Sequence, residues 1–214
     1  MKCCRVSGAK RQLIKLWVRE VKRGLIPLEH VPYLAWDILL ANGDWKSVGR
    51  RLGLGDGQLN CIESDHDEKY EKCFKMLKTC QQSGKASYEN VADVLKKHNL
   101  NATRESYCLE GRDPPTKTTV ALGNVKPGCV QDLQSIANAV KGKRKRLGRA
   151  LGLEDNDVEQ IVDENRGKIY EQSYQILQKW CQAYGHEATY SVLAQALNDR
   201  TVNMGTVAAT FCLA

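Results

Sequence analysis

The chain uses one stretch twice. The first copy starts at Asp44-Trp45, passes Val48, Gly49, Arg50 and Arg51, and reaches Leu52-Gly53-Leu54-Gly55-Asp56, then Leu59 and Ile62. The second starts at Arg146-Leu147-Gly148-Arg149, reaches Leu151-Gly152-Leu153-Glu154-Asp155, then Val158 and Ile161. The offset is 99 residues, since Leu52 maps to Leu151 and Ile62 to Ile161. Solenoid units run about 20–50 residues, so this period is a domain length. Further matches keep the order: Tyr70-Glu71 with Tyr170-Glu171, Leu77 with Leu177, Ser87-Tyr88 with Thr189-Tyr190, and Ala92-x-x-Leu95 with Ala194-x-x-Leu197. The offset drifts from 99 to 102, which places short insertions in turns, where they cost little. Two copies of one small domain account for the 214 residues.

Each copy reads as a succession of short amphipathic helices. Val31, Leu34, Ala35 and Ile38 share one face, as do Tyr88, Val91, Ala92 and Leu95. In the second copy Ile136, Ala137 and Val140 form the first face, and Ile169, Ser173, Ile176, Leu177 and Trp180 the buried face of helix four. Asp44, Ser87, Asp155 and Thr189 stand where N-caps belong. Trp45 and Trp180 are expected in the two cores. The expected class is all-α: two six-helix bundles in tandem, joined by a Pro/Thr-containing linker and preceded by a basic amphipathic helix. The boundaries are 1–24 for that helix, 25–111 for the first bundle, 112–125 for the linker and 126–214 for the second bundle.

Charge is unevenly distributed. Residues 1–24 carry +7, equal to the net charge of the whole chain, whereas the two bundles are nearly neutral. Leu13, Ile14, Trp17 and Val21 give the N-terminal helix an apolar face among lysines and arginines. The helix either packs on the bundle that follows, with Trp17 as its anchor, or meets an anionic membrane or an acidic partner, where Cys3 and Cys4 beside it would suit acylation plus charge; Lys2 excludes myristoylation. No stretch approaches the ~20 apolar residues of a membrane span, and no secretory signal is recognised. The nine cysteines include no C-x-x-C, so reduced thiols in a cytoplasmic protein are expected rather than zinc or disulfides. Gly53-Leu54-Gly55-Asp56-Gly57 is a corner, since no strand precedes it and no Gly-Lys-Ser/Thr follows. His30, His66, His98 and His186 are scattered and place no catalytic set; no cofactor is expected.

Trp-x-x-Val-x-x-x-Leu-Gly-Leu in helix two, Leu-x-x-Ile in helix three and a long Tyr/Leu/Trp helix four resemble a death domain. The resemblance covers roughly 27–110 and 126–214. The second copy is most similar to the death domain of the Fas-associated adaptor, through Leu153 to Ile161, Leu177-x-x-Trp180 and Ala188 to Leu197. Each copy departs once: Cys80 stands where helix four's Trp would be, and Arg144 replaces the helix-two Trp.

The resemblance implies homotypic assembly without catalysis, through helix-two/three and helix-one/four surfaces of opposite charge. The implied interaction residues are Lys46, Arg50 and Arg51 against Asp65, Asp67 and Glu68 in the first copy. In the second they are Lys143, Arg144, Lys145, Arg146 and Arg149 against Asp155, Asp157, Asp163 and Glu164, with Glu154 and Glu159 alongside. Arg146 and Arg149 are expected opposite Leu147 and Leu151 or at the edge of that face, so that reversing them spares the fold. The implied partners are other death-domain proteins (receptor tails, adaptors, death-domain kinases) and the chain itself. The competing reading is a basic helical protein binding nucleic acid or an anionic membrane through 1–24 and 141–149; the sparse aromatics beside those runs count against nucleic acid. A third is a piece of a receptor tail or kinase. Cleavage between Pro114 and Gly123 should leave two soluble helical fragments by circular dichroism; an unfolded fragment would contradict the two-domain reading.

Overall fold

The computed structural model describes residues 20–114 and 121–214, which fall into two compact units on either side of the 116/117 boundary. The first contains α1 (Val31–Leu40), α2 (Trp45–Arg51), α3 (Asp56–Asp65), α4 (Lys69–Gln82), α5 (Tyr88–Lys97) and α6 (Asn101–Cys108). The second contains α7 (Leu133–Ala139), α8 (Arg144–Ala150), α9 (Asp155–Glu164), α10 (Ile169–Tyr184), α11 (Tyr190–Asn198) and α12 (Gly205–Cys212). Both are six-helix bundles, and no strand forms among the described residues.

The longest helix is the centre of each. α4 packs against α1, α2 and α3, and α10 against α7, α8 and α9, while α5 pairs with α6 and α11 with α12. The cores follow the apolar faces: Leu34, Ile38, Val48, Leu59, Met76, Leu77 and Leu95 in the first bundle, Ile136, Leu147, Val158, Ile176, Leu177 and Leu193 in the second. Trp45 is buried in the first core and Trp180 fully buried in the second. Trp36 adds a second, partly covered indole to the first bundle. Cys73, Cys80, Cys108 and Cys212 are free, buried thiols; burial pushes Cys80 and Cys212 up to about 11 and Cys108 to about 12, so all three stay protonated and act as small apolar residues.

Three of the expected caps form. Asp44 accepts from the Lys46 N–H at 3.1 Å, Ser87 from Asn90 N–H at 3.2 Å and Thr189 from Val192 N–H at 3.4 Å. Asp155 does not cap α9. It is the first helical residue, Glu154 occupies the cap position without a side-chain bond, and the Asp155 carboxylate turns to Arg149. Ile169 is also a correction: it lies in the first turn of α10, exposed rather than buried.

Val21 is a third correction. It is not on a helix: residues 20–24 are extended. Val21 bridges Leu109, Lys22 N–H donates to Cys108 O at 2.8 Å and Glu110 N–H to Glu20 O at 2.9 Å. The second bundle repeats this: Val125 bridges Leu213, Lys126 N–H donates to Cys212 O at 2.9 Å and Ala214 N–H to Asn124 O at 2.7 Å. A glycine at positive φ follows in each, Gly24 at 93° and Gly128 at 85°. The next residues, Leu25 and Cys129, bridge Ser87 and Thr189 at the start of helix five. Lys22 lies over the Tyr88 ring and Lys126 over Tyr190, 5.7 and 5.8 Å from the centroids. The rest of the stretch expected to form the N-terminal helix, with Cys3 and Cys4, lies outside the described residues.

Helix two of each bundle is set by a glycine in mid-helix. A Cβ on Gly49 would stand 2.7 Å from Leu59 Cδ2 and 2.9 Å from Met76 Cγ; on Gly148, 3.0 Å from both Val158 Cγ2 and Ile176 Cγ2. Gly49→Ala should therefore lower stability by about 1–3 kcal/mol through overpacking, beyond the ~1 kcal/mol that alanine returns in helix propensity. Gly148→Ala should fall close to wild type. Thermal unfolding of the two variants tests the order, and equal stability would refute it.

Candidate interaction surfaces

The glycine contacts bring helices two and three together along a seam of opposite charge. The residue after each glycine is an arginine, and the first residue of helix three is an aspartate. In the first bundle Arg50 Nε donates to Asp56 Oδ1 at 2.7 Å, and in the second Arg149 Nε donates to Asp155 Oδ1 at 2.7 Å. A lysine one turn earlier makes a second stitch. Lys46 Nζ donates to Glu63 Oε2 at 2.6 Å, and Lys145 Nζ to Glu159 Oε2 at 2.9 Å. The Lys46 hydrogen bond holds the Glu63 carboxyl below its ordinary pKa, and the bond to Asp56 raises that of Arg50.

The seams differ in exposure. The Arg50 and Asp56 side chains are 51% and 68% exposed, those of Arg149 and Asp155 9% and 13%. Arg149 also reaches Glu159 Oε1 at 3.5 Å. A buried pair is poorly screened, and removing one partner strands the other. Hence the Arg50–Asp56 pair of the first bundle is a surface feature, whereas the Arg149–Asp155 pair of the second is part of its structure.

The remaining basic residues of the second bundle are also engaged internally. Lys143 Nζ donates to the carbonyls of Val202 and Asn203 at 2.6 and 3.3 Å. Arg144, at the position of Trp45, donates from Nε to Gln172 Oε1 and from Nη1 to Lys141 O. Arg146 is buried, with Nη1 donating to Thr201 O at 3.3 Å. The expectation that Arg146 and Arg149 tolerate reversal is thus overturned: one sits under the turn after α11, the other between two carboxylates. Among the acids, Asp157 pairs with Lys179 at 3.6 Å and Asp163 with Arg166 at 3.5 Å. Glu164 accepts from Gln160 at 2.7 Å.

Arg50 and Arg51 are exposed at the end of α2; Asp65, Asp67 and Glu68 are exposed where α3 turns into α4. The equivalent turn of the second bundle reads Asn165-Arg166-Gly167-Lys168, opposite in sign. Sequence reasoning missed this inversion and the extended segments. The signals were present: position-by-position alignment of the two turns gives the first, and Val21-Lys22-x-Gly24 against Val125-Lys126-x-Gly128 gives the second.

Among the described residues no helix is long and apolar enough to cross a membrane, and no cluster of His, Cys, Asp and Glu could hold a metal ion.

Each unit is a small helical domain built around its fourth helix, with charge concentrated on helices two and three. The family model of the death domain matches the chain twice, over residues 36–107 and 130–201. The chain belongs to the death-domain family, a non-enzymatic module that mediates homotypic protein–protein interactions in signalling. No curated protein and no solved structure matches it.

The seam generates a stability difference. Arg149→Glu should cost the second bundle about 3–5 kcal/mol, because it breaks a buried pair and sets like charges together. Arg50→Glu should leave the first bundle's unfolding almost unchanged. Hydrogen exchange of the α8–α9 and α2–α3 amides in the full chain reads the two separately; equal effects would refute the distinction.

Proposed function

We propose that the chain is a non-catalytic cytoplasmic adaptor that assembles death-domain complexes in apoptotic or innate-immune signalling. The observation that carries this reading is the double match to the death-domain model, which covers most of both bundles. The partners it fits are death domains on receptor tails, adaptors and kinases. The resemblance of the second bundle to the Fas-associated adaptor supports placing the chain in that circle.

The surfaces proposed for recognition are those that stay accessible: Arg50 and Arg51 on α2, Asp65, Asp67 and Glu68 at the α3–α4 corner, and Asp163 and Glu164 at the end of α9. Exposed charges of one sign steer encounter and fix register more than they add affinity. The nucleic-acid reading through 141–149 loses support, since Lys143, Arg144, Lys145, Arg146 and Arg149 all make contacts inside their own bundle. A phosphate backbone needs cations it can reach.

Capture on the immobilised full chain from native lysate, followed by mass spectrometry, should enrich death-domain proteins. Arg50→Glu combined with Arg51→Glu should then abolish capture of the partner bound by the first bundle, with the melting temperature retained. Undiminished capture of every such partner by this variant at physiological salt would contradict recognition through helix two.

A further inference from the structure

Two copies of one fold allow each position to be compared with its counterpart, and the first turn of helix four differs between them. Tyr70 and Tyr170 both stand in its first turn. Tyr70 is 2% exposed: its hydroxyl donates to Pro32 O at 3.4 Å, Trp36 meets its ring edge-on at 6.1 Å, and Phe74 stacks on it at 6.3 Å. The second bundle keeps the stack, Tyr170 on Tyr174 at 6.4 Å. It lacks the cover. In the register that matches Ala35 with Ala137 and Ile38 with Val140, Trp36 becomes Asn138, itself exposed. Lys69 becomes Ile169. The result is an open apolar step, with Tyr170 37% and Ile169 48% exposed.

The rim of this step is basic. Lys141 Nζ lies 5.6 Å from the Tyr170 ring centroid, and Lys168 and Arg166 precede the helix. Lys141 and Lys168 form no ion pair among the described residues. The first bundle carries the complement at its own α3–α4 corner. Asp65, Asp67 and Glu68 are exposed there, and Asp65 accepts from its neighbour Ser64 at 3.3 Å. The second corner also carries Asp163, which pairs with Arg166 at 3.5 Å, and Glu164, so its positive sign is local to Lys168 and Lys141 beside the step. Two acidic first-bundle corners repel, so first-to-first contact is disfavoured at this surface.

We infer that the Ile169–Tyr170 step of the second bundle, with Lys168 and Lys141, docks on the Asp65–Glu68 corner of the first bundle of a second copy of this chain. The inference rests on the homotypic reading above, narrowed to one pair of surfaces. The contact is heterologous: each copy has one surface of each kind, so association propagates head to tail. Apolar burial at the step supplies attraction, and the charges select the orientation.

The test is sedimentation velocity of the full chain. The wild-type sedimentation coefficient should rise with protein concentration, and added salt should reduce the rise. Arg166→Glu with Lys168→Glu should abolish it, and so should Asp65→Lys with Asp67→Lys. Ile169→Ser with Tyr170→Ser should do the same by removing the apolar step. An equimolar mixture of the two charge variants should associate again, because each contributes one intact surface and the two reversed corners are themselves opposite in sign. All these side chains are exposed, so unchanged circular dichroism shows that folding is intact. A wild-type chain that stays monomeric at every concentration overturns the inference. So does contact within one chain, seen as a concentration-independent change of shape in the variants, or a mixture that fails to associate. A monomeric chain that still captures death-domain partners through Arg50 and Arg51 would sink this surface and spare the adaptor reading.

Discussion

Both bundles depend on how closely helix two can approach helices three and four. Gly49 leaves no space for a side chain between helix two and the core, against Leu59 and Met76, and Gly148 leaves room for no more than a tightly held methyl, against Val158 and Ile176. This contact fixes the seam. Once the glycine is seated, the arginine after it and the aspartate that opens helix three are 2.7 Å apart in both domains. The corner between them is closed in both by a glycine at positive φ, Gly53 and Gly152. A side chain at or just past the end of helix four donates to that glycine's carbonyl: Lys85 Nζ at 2.6 Å in one bundle, Tyr184 OH at 2.9 Å in the other. Different residues serve one backbone geometry.

On that scaffold the two domains have placed their polar groups differently. The first fills its second helix with Trp45 and leaves the Arg50–Asp56 pair in solvent. The second fills its fourth helix with Trp180 and draws Arg144, Arg146 and Arg149 inwards. Buried guanidinium groups need partners, and they find them in Gln172, the Thr201 carbonyl and the Asp155 and Glu159 carboxylates. The second domain thus uses its basic run for structure, and the first leaves its Arg50–Asp56 pair in solvent. A run of five cations in seven residues is not in itself a binding surface; burial and partner distance decide that.

The repeat, the apolar faces and three of the four caps were legible in the sequence, because each depends on residues within a few turns of one another. What escaped depends on distant residues. Val21 suits a helix by local pattern, but its backbone pairs with Leu109. Arg146 looks like surface until the turn after α11 closes over it. Ile169 has the helical spacing of a core residue but occupies the place of Lys69, which is exposed in the first bundle too, and beside it Tyr170 is uncovered because Asn138 stands in place of Trp36. Asp155 resembles a cap, but the preceding Glu154 takes the extended conformation and frees the aspartate for Arg149. Of the candidate interaction residues, Arg50, Arg51, Asp65, Asp67 and Glu68 are exposed, Lys46 is partly covered and bonded to Glu63, and most of the second-bundle basic set is enclosed.

The most direct test of this division is hydrogen exchange of the full chain, free and bound to a death-domain partner or to itself. The account places new protection at residues 50–51, 65–68 and 166–170, with α8 from Arg144 to Ala150 unchanged. Protection concentrated on α8, with those three stretches unaffected, would contradict it.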